Sequence, residues 1–201
     1  MVILMKNLKT TIAAFAAFTF AAFSTNAADI YKANAGESQI KWTASKVSGD
    51  HWGYVKLKDG YLEMDGDKLT GGKFNMNMTT IDVQDLEDKE WNGKLQGHLM
   101  SDDFFSVDKY KTATLVITDV KKAKGNTYDV NGDLTIKGIK KPVSFPVTLE
   151  QKNGNVVGTG KIKVDRTKYD IKYNSGSYFE NLGDKMIYDE FNIDVKLVAK
   201  K

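Results

Sequence analysis

Alternation with a period of two runs through most of this chain and constrains its fold more than any other feature. In KFNMNMTTI (73–81), Phe74, Met76 and Met78 point one way, and Asn75, Asn77 and Thr79 the other. SQIKWTASKV (38–47) places Ile40, Trp42 and Ala44 on one face. GYVKLKDGYLEM (53–64) does the same with Val55 and Leu57, breaks at Asp59-Gly60, and resumes with Leu62 and Met64. TATLVITDV, TYDVNGDLTIKG, KPVSFPVTLEQ, NVVGTGKIKVD and EFNIDVKLVA continue the series, the last with Phe191, Ile193, Val195 and Leu197 aligned. Turn residues punctuate the runs at Asp65-Gly66-Asp67, Lys124-Gly125-Asn126 and Asn153-Gly154-Asn155. About eight strands at this spacing predict an all-β fold, an antiparallel meander or barrel. Pro142 suits a strand start, whereas Pro146 predicts an edge or a bulge, since proline cannot donate to a ladder.

One stretch departs from the pattern. VQDLEDKEWNGKLQGHLMSDDFF (83–105) carries Trp91, Leu95 and Leu99 at helical spacing, which predicts a short helix laid across one barrel end. Gly93 and Gly97 weaken it, so tertiary packing must hold it. Adjacent Phe104 and Phe105 follow Asp102-Asp103, and neighbouring residues cannot both face the same way on a regular element. The expectation is a corner, Ser101 capping the helix, one Phe entering the barrel and the other lying under the helix.

The first 27 residues read as a secretory signal peptide: Lys6 and Lys9, an uncharged apolar run at 12–23, then STNA with small Thr25 and Ala27 before the cut. Residues 28–201 then form one domain, and loss of the two lysines takes the formal charge from +3 to +1. Near-neutrality gives no electrostatic case for nucleic acid. The chain has no cysteine, which excludes thiol chemistry, thiolate metal sites and disulfides.

Motifs that resemble chemistry are weak. GTGK (158–161) lacks the later glycine of a phosphate loop and sits in a strand pattern; its small residues leave room opposite bulky partners. DGDKLTGG (65–72) begins like a calcium loop but lacks the third ligand, and Met76 stands at the last position. His51 and His98 have no metal-ligand spacing and read as solvated or hydrogen-bonded structural residues. No nucleophile, base and oxyanion donor assemble, so neither catalysis nor a cofactor is expected.

Five collinear segments carry a resemblance: WTASKVSGDHWGYVKLKDG (42–60), GGKFNMNMTTID (71–82), KLQGHLMSDDFFSVDKY (94–110), GDLTIKGIKKPVSF (132–145) and VDRTKYDIKY (164–173). Over about residues 29–200 the chain closely resembles the YceI-like family of periplasmic proteins. Lys111 departs from it, standing where a proline often follows the tyrosine. The resemblance implies an extended eight-stranded, lipocalin-like antiparallel barrel with a helix near one end. It also implies a lumen that binds a long polyisoprenoid or another amphiphilic lipid.

Periodicity alone leaves two readings open, a dry interlocked core and a ligand-holding lumen. The resemblance points to the second. The expected lining is then Trp42, Phe74, Met76, Met78, Phe104, Phe105, Leu134, Ile136, Phe145, Tyr169, Tyr173 and Phe179. Adaptable methionines at successive inward positions suit a flexible guest. Lys137 and Arg166 are the candidate head-group contacts; Arg166 could equally form an ion pair with Asp165 or Asp170. The expected partner is a long-chain isoprenoid or other lipid; a homodimer and transient contact with a membrane or membrane proteins are compatible with it. Two alternatives remain: an enzyme acting on a bound lipid or quinone, and a filled-barrel structural stress protein.

Overall fold

The computed structural model describes residues 28–152 and 154–201, so the expected signal peptide lies outside the described residues. Ten strand segments are present: β1 (Asp29–Ala33), β2 (Gln39–Lys46), β3 (Gly49–Tyr54), β4 (Lys56–Asp65), β5 (Lys68–Asn77), β6 (Thr112–Lys122), β7 (Thr127–Ile136), β8 (Ile139–Lys152), β9 (Asn155–Asp165) and β10 (Ile187–Lys200). They make eight staves. β1 and β2 lie end to end along β10, where Ala33 pairs with Ala199 and Gln39 with Lys196. β3 and β4 form a second broken stave across Val55, β3 pairing with β2 and β4 with β1. From β4 to β10 each strand pairs with the next antiparallel, and β10 returns to β1, closing an eight-stranded barrel. Closure gives backbone groups partners that an open edge would leave bare.

Hairpin turns follow the glycines expected from sequence: Gly66, Gly125 and Gly154 have φ of +58°, +62° and +75°. Lys137-Gly138 links the Ile136–Ile139 pair as a two-residue turn with both φ positive, matching the twist of the flanking strands. Pro146 stands one residue beyond Val147–Gly160, the last β8–β9 pair, consistent with its missing N–H.

The helix α1 (Lys89–Met100) crosses the end where β5 finishes and β6 begins. Asp88 caps it, accepting from the N–H groups of Glu90 and Trp91. Asn92 donates to the carbonyls of Val83 and Leu86, and Gln96 to that of Ile81. The approach segment covers the outer edge of β3: Asp82 N–H donates to the Tyr54 carbonyl at 3.0 Å, and Gln84 N–H to that of Trp52 at 2.8 Å. Gly53 permits this contact, because any Cβ there would collide with the Asp82 carbonyl.

The helical stripe needs correction. Leu99 is buried and Leu95 packs against the core, but Trp91 is 63% exposed, with Lys94 Nζ 4.5 Å above its ring. Steps of four residues overshoot a turn by about 40°, so Trp91 is swung roughly 80° from Leu99. Among the described residues, no helix is long and apolar enough to cross a membrane.

Candidate functional site

The inward faces of the staves should bury most strongly at mid-height, where a filled barrel has atoms on every side. On two staves, β10 and β8, they do the opposite. On β10, Phe191, Leu197 and Ala199 are buried, whereas Ile193 and Val195 between them are half-buried. On β8, Phe145 and Leu149 are buried and Val147 between them is half-buried. These central side chains face open space.

That space is a lumen running from Leu62, Leu69 and Leu197 at one end to Trp42, Met78, Ile81 and Phe105 beneath α1. The space among its lining side chains, mouth included, is about 1130 Å³, and the cavity itself is about 130 Å³. Spread along the barrel, so small a cavity is a slender passage. From Leu69 to Met78 along β5, strand rise and barrel tilt give a length of about 23 Å. An extended chain advances roughly 1.2 Å per bond, so about 20 chain atoms fit end to end. All the atoms exposed to the lumen are apolar, and none of the residues lining it is titratable.

Two glycines make room. Gly158 and Gly160 face inward on β9, opposite Leu149 and Val147 on β8 and Leu197 and Val195 on β10. An added Cβ at Gly160 would lie 3.1 Å from the Pro146 carbonyl oxygen. GTGK is therefore a stretch of wall without side-chain bulk.

Of the residues expected to line the lumen, Trp42, Phe74, Met76, Met78, Phe105, Leu134, Ile136 and Phe145 do so. Met78 reaches it from a short 3-10 turn just past β5. Trp42 is anchored by its indole N–H, which donates to the Asp82 carbonyl at 3.1 Å. The adjacent phenylalanines part. Phe105 enters the lumen, while Phe104 is buried outside it, edge-on to His98 with centroids 4.9 Å apart.

Four expected lining residues lie elsewhere. Phe104 packs under the end of α1. Tyr169 is buried in a 3-10 turn (Arg166–Tyr169) that packs against β8 and β10, and burial pushes its hydroxyl up to about 12. Tyr173 is exposed and meets His98 edge-on with centroids 4.6 Å apart, and Phe179 is exposed. For Tyr169, Tyr173 and Phe179 the cause is the chain after β9, which turns outward and wraps the barrel end instead of continuing its wall.

Arg166 also needs correction as a head-group contact. It is buried, and all its donors are engaged. Nε bonds the Tyr188 carbonyl; Nη1 bonds those of Ile171 and Tyr173; Nη2 bonds that of Ile187 and reaches Asp189 Oδ1 at 3.5 Å. Burial pushes the guanidinium below its ordinary value, and Asp189 and Asp165 partly offset this. Its ion partner is Asp189, not the expected Asp165 or Asp170. Lys137 is half-buried at the same barrel end, donating to the Asp170 carbonyl at 3.0 Å and weakly to that of Asp102 at 3.5 Å.

Both histidines hold the capping segment in place. His51 Nδ1 lies 2.7 Å from Asp85 Oδ2, and Asp85 also accepts from Trp52 N–H. Burial pushes the Asp85 carboxyl up, but the bonds from Trp52 and His51 outweigh it and leave the group below its usual range. His98 Nε2 lies 2.9 Å from Asp103 Oδ2. Among the described residues no cluster of three or more His, Asp or Glu could hold a metal.

Sequence reading passed over Val195, Ile193, Ala113, Leu115, Ile117 and the two glycines as lining. The alternation of β6 and β10 was enough to find all but the glycines, which carry no apolar signal.

Comparison with known proteins agrees with this architecture. Protein YceI of Shigella flexneri is 36% identical over 141 residues, spanning 67% of this chain and 69% of its own. The solved structure of BcnA from Burkholderia cenocepacia matches with a TM-score of 0.68 at 24% identity, covering 84% of this chain and 99% of BcnA. A polyisoprenoid binding domain from Saccharophagus degradans, implicated in plant cell wall breakdown, matches with a TM-score of 0.61 at 11% identity, over 87% of this chain and 99% of that one. The two structural likenesses speak for the fold. The YceI-like domain model matches residues 31–199, nearly every residue of the barrel, and the chain belongs to that family.

Proposed function

We propose that this protein holds the chain of an amphiphilic lipid in its lumen and acts without catalysis, as a carrier, store or scavenger. The favoured guest is a polyisoprenoid, an isoprenoid quinone or prenyl lipid. The observation that carries the reading is a slender passage lined wholly by apolar atoms. The polyisoprenoid binding domain with the same fold supports the choice of guest.

The energetics suit it. Burying about 20 chain carbons gives a gross term of roughly 16 kcal/mol at ~0.8 kcal/mol per methylene. Association and ordering cost about 4–15 kcal/mol, so only a nearly full lumen binds tightly. Affinity therefore comes from the tail. The polar head stays at the α1 end, where half-buried Lys137 is a cation that can meet a carbonyl or phosphate. Lumen residues Met76 and Met78 repack around the guest at low cost because their side chains are unbranched.

The proposed place of action is the periplasm, reached through residues 1–27. Cell fractionation with amino-terminal sequencing of the mature protein tests this, and an uncleaved cytoplasmic protein contradicts it. The function itself is tested by mass spectrometry of an organic extract of protein purified from its native compartment. A stoichiometric prenyl lipid supports the reading. Repeated absence of lipid, with no uptake on incubation, overturns it.

A further inference from the structure

The lumen is closed at the end away from α1 by a single layer of side chains. Met64, Tyr128 and Val156 form this floor, each at most 3% exposed, and none of them lines the lumen. On its far side the same three residues line a polar bowl at the surface, with Asp67, Lys122 and Gln151 around it. Leu149 touches both spaces, so one residue's thickness separates them. The floor is braced from the bowl side. Tyr128 Oη donates to the Asp67 carbonyl at 3.1 Å, and Gln151 Nε2 donates to Asp67 Oδ1 at 2.9 Å. Met64, paired across β4–β5 with the lumen residue Leu69, has no such brace.

We propose that this floor is a length stop that sets how much of a linear hydrocarbon chain the protein takes up. The inference rests on the lipid-binding reading. A chain entering from the α1 end gains contact with every added carbon until its tip meets Met64. Beyond that point an apolar tip can advance only into the polar bowl, where burial no longer rewards it. Affinity then rises roughly fourfold per methylene while the lumen fills, and stops rising at about 20 chain atoms. Longer lipids bind no more tightly and leave the remainder outside or coiled at the mouth.

The test is displacement of a fluorescent phenyl-naphthylamine probe by saturated monoacyl lipids of increasing chain length. Wild type should show the rise and the plateau. Met64→Ala should move the plateau to chains about three carbons longer, because it removes three side-chain atoms from the stop. Leu69→Phe, which fills the lumen just above the floor, should move it to shorter chains. Tyr128→Phe removes the brace to Asp67 but keeps the ring, and should leave the plateau in place. Thermal melts identify variants that have not folded, and the opposite shifts of Met64→Ala and Leu69→Phe allow either one to decide. Wild-type affinity that climbs without limit, or a plateau unmoved in a folded variant, overturns the length stop while the lipid-binding reading stands. If wild type binds none of the chains, the reading itself falls.

Discussion

The Phe105 ring lies edge-on to that of Phe191 inside the lumen, centroids 6.5 Å apart and planes at 79°, one residue from a phenylalanine buried outside it. Phe104→Ala should cost about 3–5 kcal/mol of stability, as for a buried aromatic. Phe105→Ala should cost less, because the ring is only half-buried, and should speed lipid release by opening the space beneath α1. Urea unfolding and a stopped-flow release assay read the two effects; equal stability losses with unchanged release would contradict the division of labour.

Val195→Phe tests the open space at mid-height. In a filled core the added bulk would cost about 1–3 kcal/mol. Here Val195 faces the lumen, so the melting temperature should change little while lipid uptake falls at least tenfold. Strong destabilisation would mean that the barrel is packed at this level.

Arg166→Lys should destabilise the protein by about 3 kcal/mol or more, since a single ammonium cannot reproduce a planar fork bonded to four carbonyls and Asp189. The measured quantity is the urea midpoint. A near-neutral result would show that the wrap of residues 171–189 holds without its central clamp.

Stability should decline at alkaline pH through Tyr169. Its folded-state value, about 12, is raised above the ordinary 10 by burial and by the nearby Asp165 carboxylate. The neutral hydroxyl is therefore favoured by folding. The contribution is whole below pH 10 and is lost as pH rises from about 10 to 12, amounting to roughly 3 kcal/mol. Tyr169→Phe should flatten this part of the stability profile and leave neutral pH unaffected. An unchanged alkaline slope counts against the buried hydroxyl as its source.

Asp85 acts with the opposite sign. Its carboxylate is favoured by folding, so its contribution is present above the ordinary carboxylate range and lost as pH falls through the lowered value. Asp85→Asn should weaken the hold of segment 82–85 on β3 by about 1–2 kcal/mol. Hydrogen exchange at the Trp52 amide, which donates to Asp85, reports it directly; unchanged protection would refute it.

Much of this was legible in the residue order. Two-residue alternation of large apolar groups with polar ones fixes which side chains turn inward on β2, β5, β7 and β8, because strand geometry admits no other arrangement. Glycines at the turns fix where the staves reverse. These local rules alone account for Trp42, Phe74, Met76, Leu134, Ile136 and Phe145 as inward-facing, which is where they stand.

What needed the tertiary structure was everything set by residues far apart in the chain. Whether the inward set interlocks or stands apart depends on barrel radius and on gaps such as Gly158 and Gly160, which periodicity does not register. Trp91 fell to solvent, and Tyr173 and Phe179 outside the lumen, because the wrapping of α1 and of residues 166–186 is decided by packing. Local sequence leaves Arg166 open to a ligand or to a neighbouring carboxylate, and only the fold brings the carbonyls of Ile171, Tyr173, Ile187 and Tyr188 around it. A local pattern specifies direction along one strand; distance between strands comes only when the barrel closes.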